Sequence, residues 1–202
     1  MGFSTILDIL ASVIIGGILL TIVLRLSDSA AEKTYNYSGE LSLQQNLVTI
    51  AQIMESDFRK IGYSKDWESW RANPLSNMPI FEADSSSIKF YADINNDGVM
   101  DVIHYYLGPV SELASTPNPR DRFLYRVVNS EAPVGVNLGV TEFFMTYFDA
   151  LGTPLTLPII APSLIASMEI NIKVENVQAY DEKYSSAFWR QIRLASRNLQ
   201  YR

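Results

Sequence analysis

Along residues 3–26 apolar positions recur on every side of a helical turn, and Asp8 is the only charge before Arg25. The run 9–24 is uncharged and rich in Ile, Leu and Val. Such a segment has no polar face to offer water, so it needs lipid or other apolar helices around it. At ~1.5 Å per residue the run 9–24 falls slightly short of a hydrocarbon core of ~30 Å, and residues 3–7 lengthen it enough. Asp8 then lies in or near the membrane. A carboxylate there costs at least ~2.5 kcal/mol on insertion scales, so it needs a partner, a neutral form or the headgroup region.

The pattern then changes without a break in helical signal. From 27 to 61 there is no proline and one glycine, Gly39. Leu43, Leu47, Ile50, Met54, Phe58 and Ile61 recur at three- and four-residue steps, with Gln44, Gln45, Gln52, Glu55 and Arg59 between them. That spacing gives one apolar stripe on an otherwise polar helix. Gly62 is the stop signal. The expectation is a single long helix, loosened near Gly16, Gly17, Ser38 and Gly39. Its second half needs a sheet to cover the stripe.

Beyond Gly62 the periodicity shortens. Residues 64–87, with Trp67, Trp70, Pro74 and Pro79, read as an irregular connection. Residues 87–92 and 102–107 have strand spacing and flank Asn95-Asn96-Asp97-Gly98, a turn signal. Further strands are expected at 123–128, 140–148, 165–174 and 188–194, with 154–162 broken by proline. In 165–174, Met168, Ile170, Ile172 and Val174 alternate with Glu169, Asn171 and Lys173, as in a half-buried antiparallel strand. Helix first and strands afterwards predict an α+β fold, the helix laid on an antiparallel sheet. Three segments follow: an apolar helix at 1–26, its amphipathic continuation at 27–62, and a β-sheet body at 63–202.

Composition narrows the chemistry. The net charge of −6 disfavours a general nucleic-acid binder. With no cysteine, disulfides, thiolate zinc sites and thiol catalysis are excluded. No basic residue precedes the apolar run, and the run is long for a secretory signal, so an anchor or assembly helix fits better. The single histidine, His104, sits between Ile103 and Tyr105 in a strand, which suits a structural role. No phosphate loop, nucleophile elbow or metal-binding His pair is present, so no enzyme is expected. Asp66, Glu68 and Trp70 fit a solvated loop better than a sugar site. Tyr63, Trp67, Trp70 and Trp189 fit sheet caps or subunit contacts.

The loop from Asp93 to Asp101 is the one candidate metal site. Asp93, Asn95, Asp97 and Asp101 place side-chain oxygens at loop positions one, three, five and nine, and Gly98 stands at six. With the Val99 carbonyl they offer five oxygens to Ca2+ in an arrangement close to an EF-hand loop. His104 stands where the bidentate Glu would be, and strands flank the loop, so any affinity is expected to be weak. The competing account is a polar hairpin in which Asn and Asp satisfy backbone donors and Gly98 takes positive φ.

Taken together, the chain resembles the type IV pilin-like proteins, in particular the W-type minor pilins and the J-type pseudopilins of type II secretion. The resemblance rests on several pieces in order: Gly2-Phe3 opening an apolar helix, Phe58-Arg59-Lys60-Ile61-Gly62-Tyr63 closing it, and the hairpin at 93–101. Tyr147-Phe148-Asp149-Ala150-Leu151-Gly152-Thr153-Pro154-Leu155 and the closing Arg197-Asn198-Leu199 complete it. It implies a structural subunit of a pilus or secretion pseudopilus. Such a subunit is inserted in the inner membrane, trimmed by a prepilin peptidase between Gly2 and Phe3, and stacked with like subunits. The body then faces the periplasm or the exterior. The leader would be only Met1-Gly2, without basic residues. The family's acidic fifth position falls on Leu7, with Asp8 one place later. The resemblance therefore points to Phe3 and Asp8 as assembly residues, Asp8 meeting an N-terminal ammonium on a neighbour; the small residues Ala11, Ser12, Gly16 and Gly17 suit either close helix approach in assembly or ordinary anchor composition. The alternative is a singly anchored binding module for an extracellular polymer or a calcium-dependent partner.

Overall fold

The computed structural model describes residues 2–177 and 184–194. The closing Arg197-Asn198-Leu199 lies outside the described residues. Helix α1 spans Gly2–Arg59, and the chain divides into two compact units, Met1–Gly39 and Glu40–Arg202, within it. The helix runs unbroken through Gly16, Gly17, Ser38 and Gly39, where loosening was expected. A glycine costs a helix only about 1 kcal/mol relative to alanine, and propagation along good helix formers on both sides carries the ladder across it.

In the first unit the large apolar side chains from Ile6 to Leu26 are 48–68% exposed. In the second unit the stripe foreseen from sequence is buried: Leu43, Leu47, Ile50, Met54, Phe58 and Ile61 all join the core. The helix ends at Arg59, and Gly62 takes φ 71° while its N–H donates to the Tyr91 carbonyl at 2.7 Å.

The stretch 64–87, expected to be irregular, contains two elements. Helix α2, Trp67–Ala72, is one short turn-pair capped by Asp66, whose carboxylate accepts from the Ser69 N–H. It buries none of its residues, so no apolar periodicity marked it. Strand β1, Ile80–Ala83, is a four-residue edge strand whose pairing shifts between Ile80 and Glu82. It is too short for alternation to stand out beside Pro79.

The remaining strands are β2 (Ser87–Ala92), β3 (Asp101–Leu107), β4 (Arg122–Val128), β5 (Val134–Phe148), β6 (Ser167–Glu175) and β7 (Ser186–Leu194). They form one seven-stranded sheet in the order β1-β2-β3-β4-β5-β6-β7, with every neighbouring pair antiparallel. The fold is α+β, as the order of periodicities predicted. β5 begins six residues earlier than expected and runs through Gly135 and Gly139, the latter at φ 73°.

The inner face of the sheet meets the stripe of α1. Phe58 lies edge-on to Phe90 and to Tyr105, each at 5.3 Å between ring centroids. β6 alternates as read from sequence, with Met168, Ile170, Ile172 and Val174 buried. Full burial of a Phe or Ile side chain is worth about 1.5–3 kcal/mol, so this seam is the main hold between helix and sheet.

Candidate functional site

The assembly residues proposed from sequence all lie on the first part of α1. Asp8 is exposed, and the Ser12 hydroxyl donates to its backbone carbonyl at 2.9 Å. Phe3 is helical in backbone, and its side chain lies outside the described residues. A Cβ added at Gly16 or Gly17 would meet nothing within 4 Å. Among the described residues no contact therefore demands glycine there. The segment is long and apolar enough to span a membrane.

The Asp93–Asp101 loop joins β2 to β3, with Ala92 opposite Asp101 in the antiparallel register. Its oxygens face backbone donors. Asp93, fully buried, accepts from Lys65 N–H (2.9 Å) and Gly98 N–H (3.0 Å) at Oδ2, and from Asp97 N–H (3.1 Å) at Oδ1. Asn95 Oδ1 accepts from Asp97 N–H at 3.0 Å, and Asp97 Oδ1 from Val99 N–H at 2.7 Å. Asp101 Oδ2 accepts from Ile94 N–H at 3.3 Å, and its Oδ1 from Asn129 Nδ2 at 2.8 Å. Asn96 and Gly98 take φ of 58° and 90°. Burial works to raise the Asp93 pKa, but the N–H groups of Lys65, Gly98 and Asp97 outweigh it and hold the carboxyl below its ordinary value. Among the described residues no group of three or more His, Cys, Asp or Glu side chains is arranged to hold a metal ion.

Two buried charge clusters escaped the sequence reading. The first joins α1 to the sheet. Asp57, 5% exposed, accepts at Oδ2 from the Tyr105 hydroxyl (2.5 Å) and from Arg126 Nε (2.7 Å). Its signal was present: position 57 falls on the buried face between Met54 and Phe58, where a carboxylate needs partners. The second surrounds Glu175, 4% exposed. Arg120 Nη2 and Nε reach its Oε2 at 2.7 and 2.9 Å, Asn118 Nδ2 reaches the same oxygen at 3.2 Å, and Lys173 Nζ reaches Oε1 at 3.0 Å. Nothing in local periodicity marked it, because its members come from β6 and from the loop before β4.

His104 is a sheet residue. It shares a 3.0 Å hydrogen bond with Ser87 Oγ and packs at a 30° tilt against Tyr106, 4.5 Å between ring centroids. Burial, then the nearby Lys89, lowers its pKa.

A long apolar N-terminal helix whose second half packs on an antiparallel sheet is a pilin-like architecture. No protein-family model matches the chain, and neither does any curated protein or solved structure.

Proposed function

We propose that this chain is a structural subunit of a type IV pilus-like or secretion-pseudopilus filament, assembled through the first part of α1. One observation carries the proposal. The large side chains from Ile6 to Leu26 are bare in the single chain, while the stripe Leu43, Leu47, Ile50, Met54 and Phe58 of the same helix is buried in the core with its own sheet. A surface of that kind is stable only in lipid or among like helices. A subunit stored in the inner membrane and then bundled with copies of itself, or with other pilin-like subunits, meets both conditions in turn. Prepilin peptidase acting between Gly2 and Phe3 would supply the new ammonium that Asp8 of a neighbour receives. Opposite charges attract strongly in low dielectric once brought together, and that sets the axial register.

The test is imaging of filaments sheared from the cell surface, with mass spectrometry of their subunits. The chain is expected in a helical array. Asp8→Ala is expected to abolish incorporation while membrane insertion persists. A chain that stays monomeric in the membrane would instead support a singly anchored binding module.

A further inference from the structure

Residues 150–168 carry no charge, and most of them form the loop that joins β5 to β6. The ends of the loop are pinned. Asp149 N–H donates to the Thr153 carbonyl at 3.0 Å, Leu155 N–H to that of Tyr147 at 2.8 Å, and Ala166 N–H to that of Phe148 at 2.9 Å. Pro154, Pro158 and Pro162 fix φ within it. On this frame Ile160 is 95% and Leu151 91% exposed, and Leu157 and Leu164 are exposed as well. Single apolar residues on a surface are ordinary, whereas four in one uncharged loop mark an interface. The backbone is irregular, and hydrocarbon offers its N–H and C=O groups nothing, so a protein surface suits the loop better than a bilayer.

A second surface lies on the outer face of β5, β6 and β7. It is a groove of about 350 Å³ lined by Glu142, Phe144, Asn171, Lys173, Phe188 and Arg190, among others. Strand register puts Phe144, Asn171 and Arg190 in one row and Glu142, Lys173 and Phe188 in the next. Both phenylalanines are exposed. Lys173 lies 5.5 Å over the Phe188 ring and pairs with Glu142, so the rim is already assembled. Asn171 and Arg190 both donate to Glu169, and each holds further N–H donors for the carbonyls of an incoming loop. Aromatic walls inside a polar rim are the anatomy of a protein-docking site. Phe144 stands four residues before the end of β5, about 14 Å along a strand, so loop and groove are separate surfaces.

A filament built from one kind of chain repeats a head-to-tail contact, and that needs two unlike surfaces that fit each other. Taking the filament reading above as its starting point, we propose that the β5–β6 loop of one copy docks in the Phe144–Phe188 groove of the next, Ile160 foremost. The pinned loop loses little freedom on docking, which favours the contact.

The chain has no cysteine, so introduced thiols are the only ones. The full chain is reconstituted densely in lipid vesicles with Thr156→Cys on the loop and Glu142→Cys at the groove, then treated with a short bismaleimide. The doubly substituted chain is expected to give a ladder of dimers, trimers and longer products. Either substitution alone is expected to give none, because the contact joins unlike surfaces. Glu142, Thr156 and Ile160 are exposed, so every variant should melt near the native temperature. Ile160→Asp added to the double variant should cut the ladder about tenfold or more. No ladder from the double variant, a ladder that survives Ile160→Asp, or dimers from Thr156→Cys alone would overturn the contact. Filaments are scored separately. A ladder from a chain that is absent from sheared filaments keeps the contact and removes the filament reading, and filaments whose subunits give no ladder do the reverse.

Discussion

Tyr105 on β3 donates its hydroxyl to Asp57 on α1 at 2.5 Å, across 48 residues of chain. Arg126 on β4 completes the clasp, with Nε 2.7 Å from the same carboxylate oxygen and 3.1 Å from the Tyr105 oxygen. Burial, then the Asp57 charge, pushes the Tyr105 phenol far above its ordinary value, so it remains a donor. The clasp sits beside Phe58, whose ring lies edge-on to Tyr105, and ties the helix to the sheet there.

Breaking the clasp from the helix side should be expensive. Asp57→Ala leaves Arg126, 32% exposed, without its counter-charge and the buried Tyr105 hydroxyl without its acceptor; removing one partner of a fully buried pair typically costs about 3–5 kcal/mol, and the exposure of Arg126 puts this pair toward the low end of that range. Tyr105→Phe removes the hydrogen bond to the Asp57 carboxylate, worth about 1.5–3 kcal/mol, and the longer one from Arg126 Nε, but leaves the Asp57–Arg126 ion pair in place. Urea denaturation should rank Asp57→Ala below Tyr105→Phe. The double variant should fall short of the sum, because both changes strike one network. Full additivity would show that the two residues act separately.

Stability should also fall in acid through Glu175. Burial works to raise its pKa, but hydrogen bonds from Arg120, Lys173 and Asn118 more than offset that, and the net shift is downward from 4.5. A folded-state value below the unfolded one means the stabilisation is complete above about pH 4.5 and is lost as pH falls through the folded value. Glu175→Gln should therefore be less stable than the native chain at neutral pH. The gap between their melting temperatures should narrow below pH 4.5. A gap that stays constant with pH would mean the charge of Glu175 contributes nothing.

The β2–β3 loop gives a third expectation. Asp93→Ala would strand the N–H groups of Lys65, Gly98 and Asp97 beside a buried position. Leaving buried donors unpaired costs about 1–3 kcal/mol each when water cannot replace the carboxylate. Because the loop already satisfies Asp93 internally, the native melting temperature should be the same in excess calcium and in a chelator. A calcium-dependent rise in melting temperature, lost in Asp93→Ala, would establish the cation reading instead. Gly98→Ala should be destabilising in either case, because φ 90° strains an L side chain and its Cβ would lie 3.3 Å from that of Asp66.

What could be read from sequence was whatever repeats at a fixed step. The stripe from Leu43 to Ile61 and the alternation in β6 each rest on many equivalent positions, so both were legible. The hairpin around Asn95-Asn96-Asp97-Gly98 was legible because turn chemistry is local. β1 was not, since four residues beside a proline carry too little alternation. The clusters at Asp57 and Glu175 were hidden for a different reason. Their partners are 48 to 69 residues away from Asp57 and 55 to 57 away from Glu175, apart from Lys173 beside it. Such pairings depend on strand register, which no single segment specifies.

Gly16 and Gly17 separate an assembly helix from a plain anchor. Among the described residues nothing approaches a Cβ at either position, so the glycines cost the helix about 1 kcal/mol each without any internal return there. In an isolated membrane helix, Gly16→Leu should be harmless or slightly stabilising. If another apolar helix lies close against this face, as small residues permit, the leucine side chain would hold the two apart. Gly16→Leu and Gly17→Leu should then insert in the membrane at native levels yet fail to enter sheared filaments, while Val13→Leu, a change of similar hydropathy nearby, should assemble. Quantifying each variant in the membrane and filament fractions makes the comparison. Equal incorporation of all three would remove close helix packing at these glycines from the assembly mechanism.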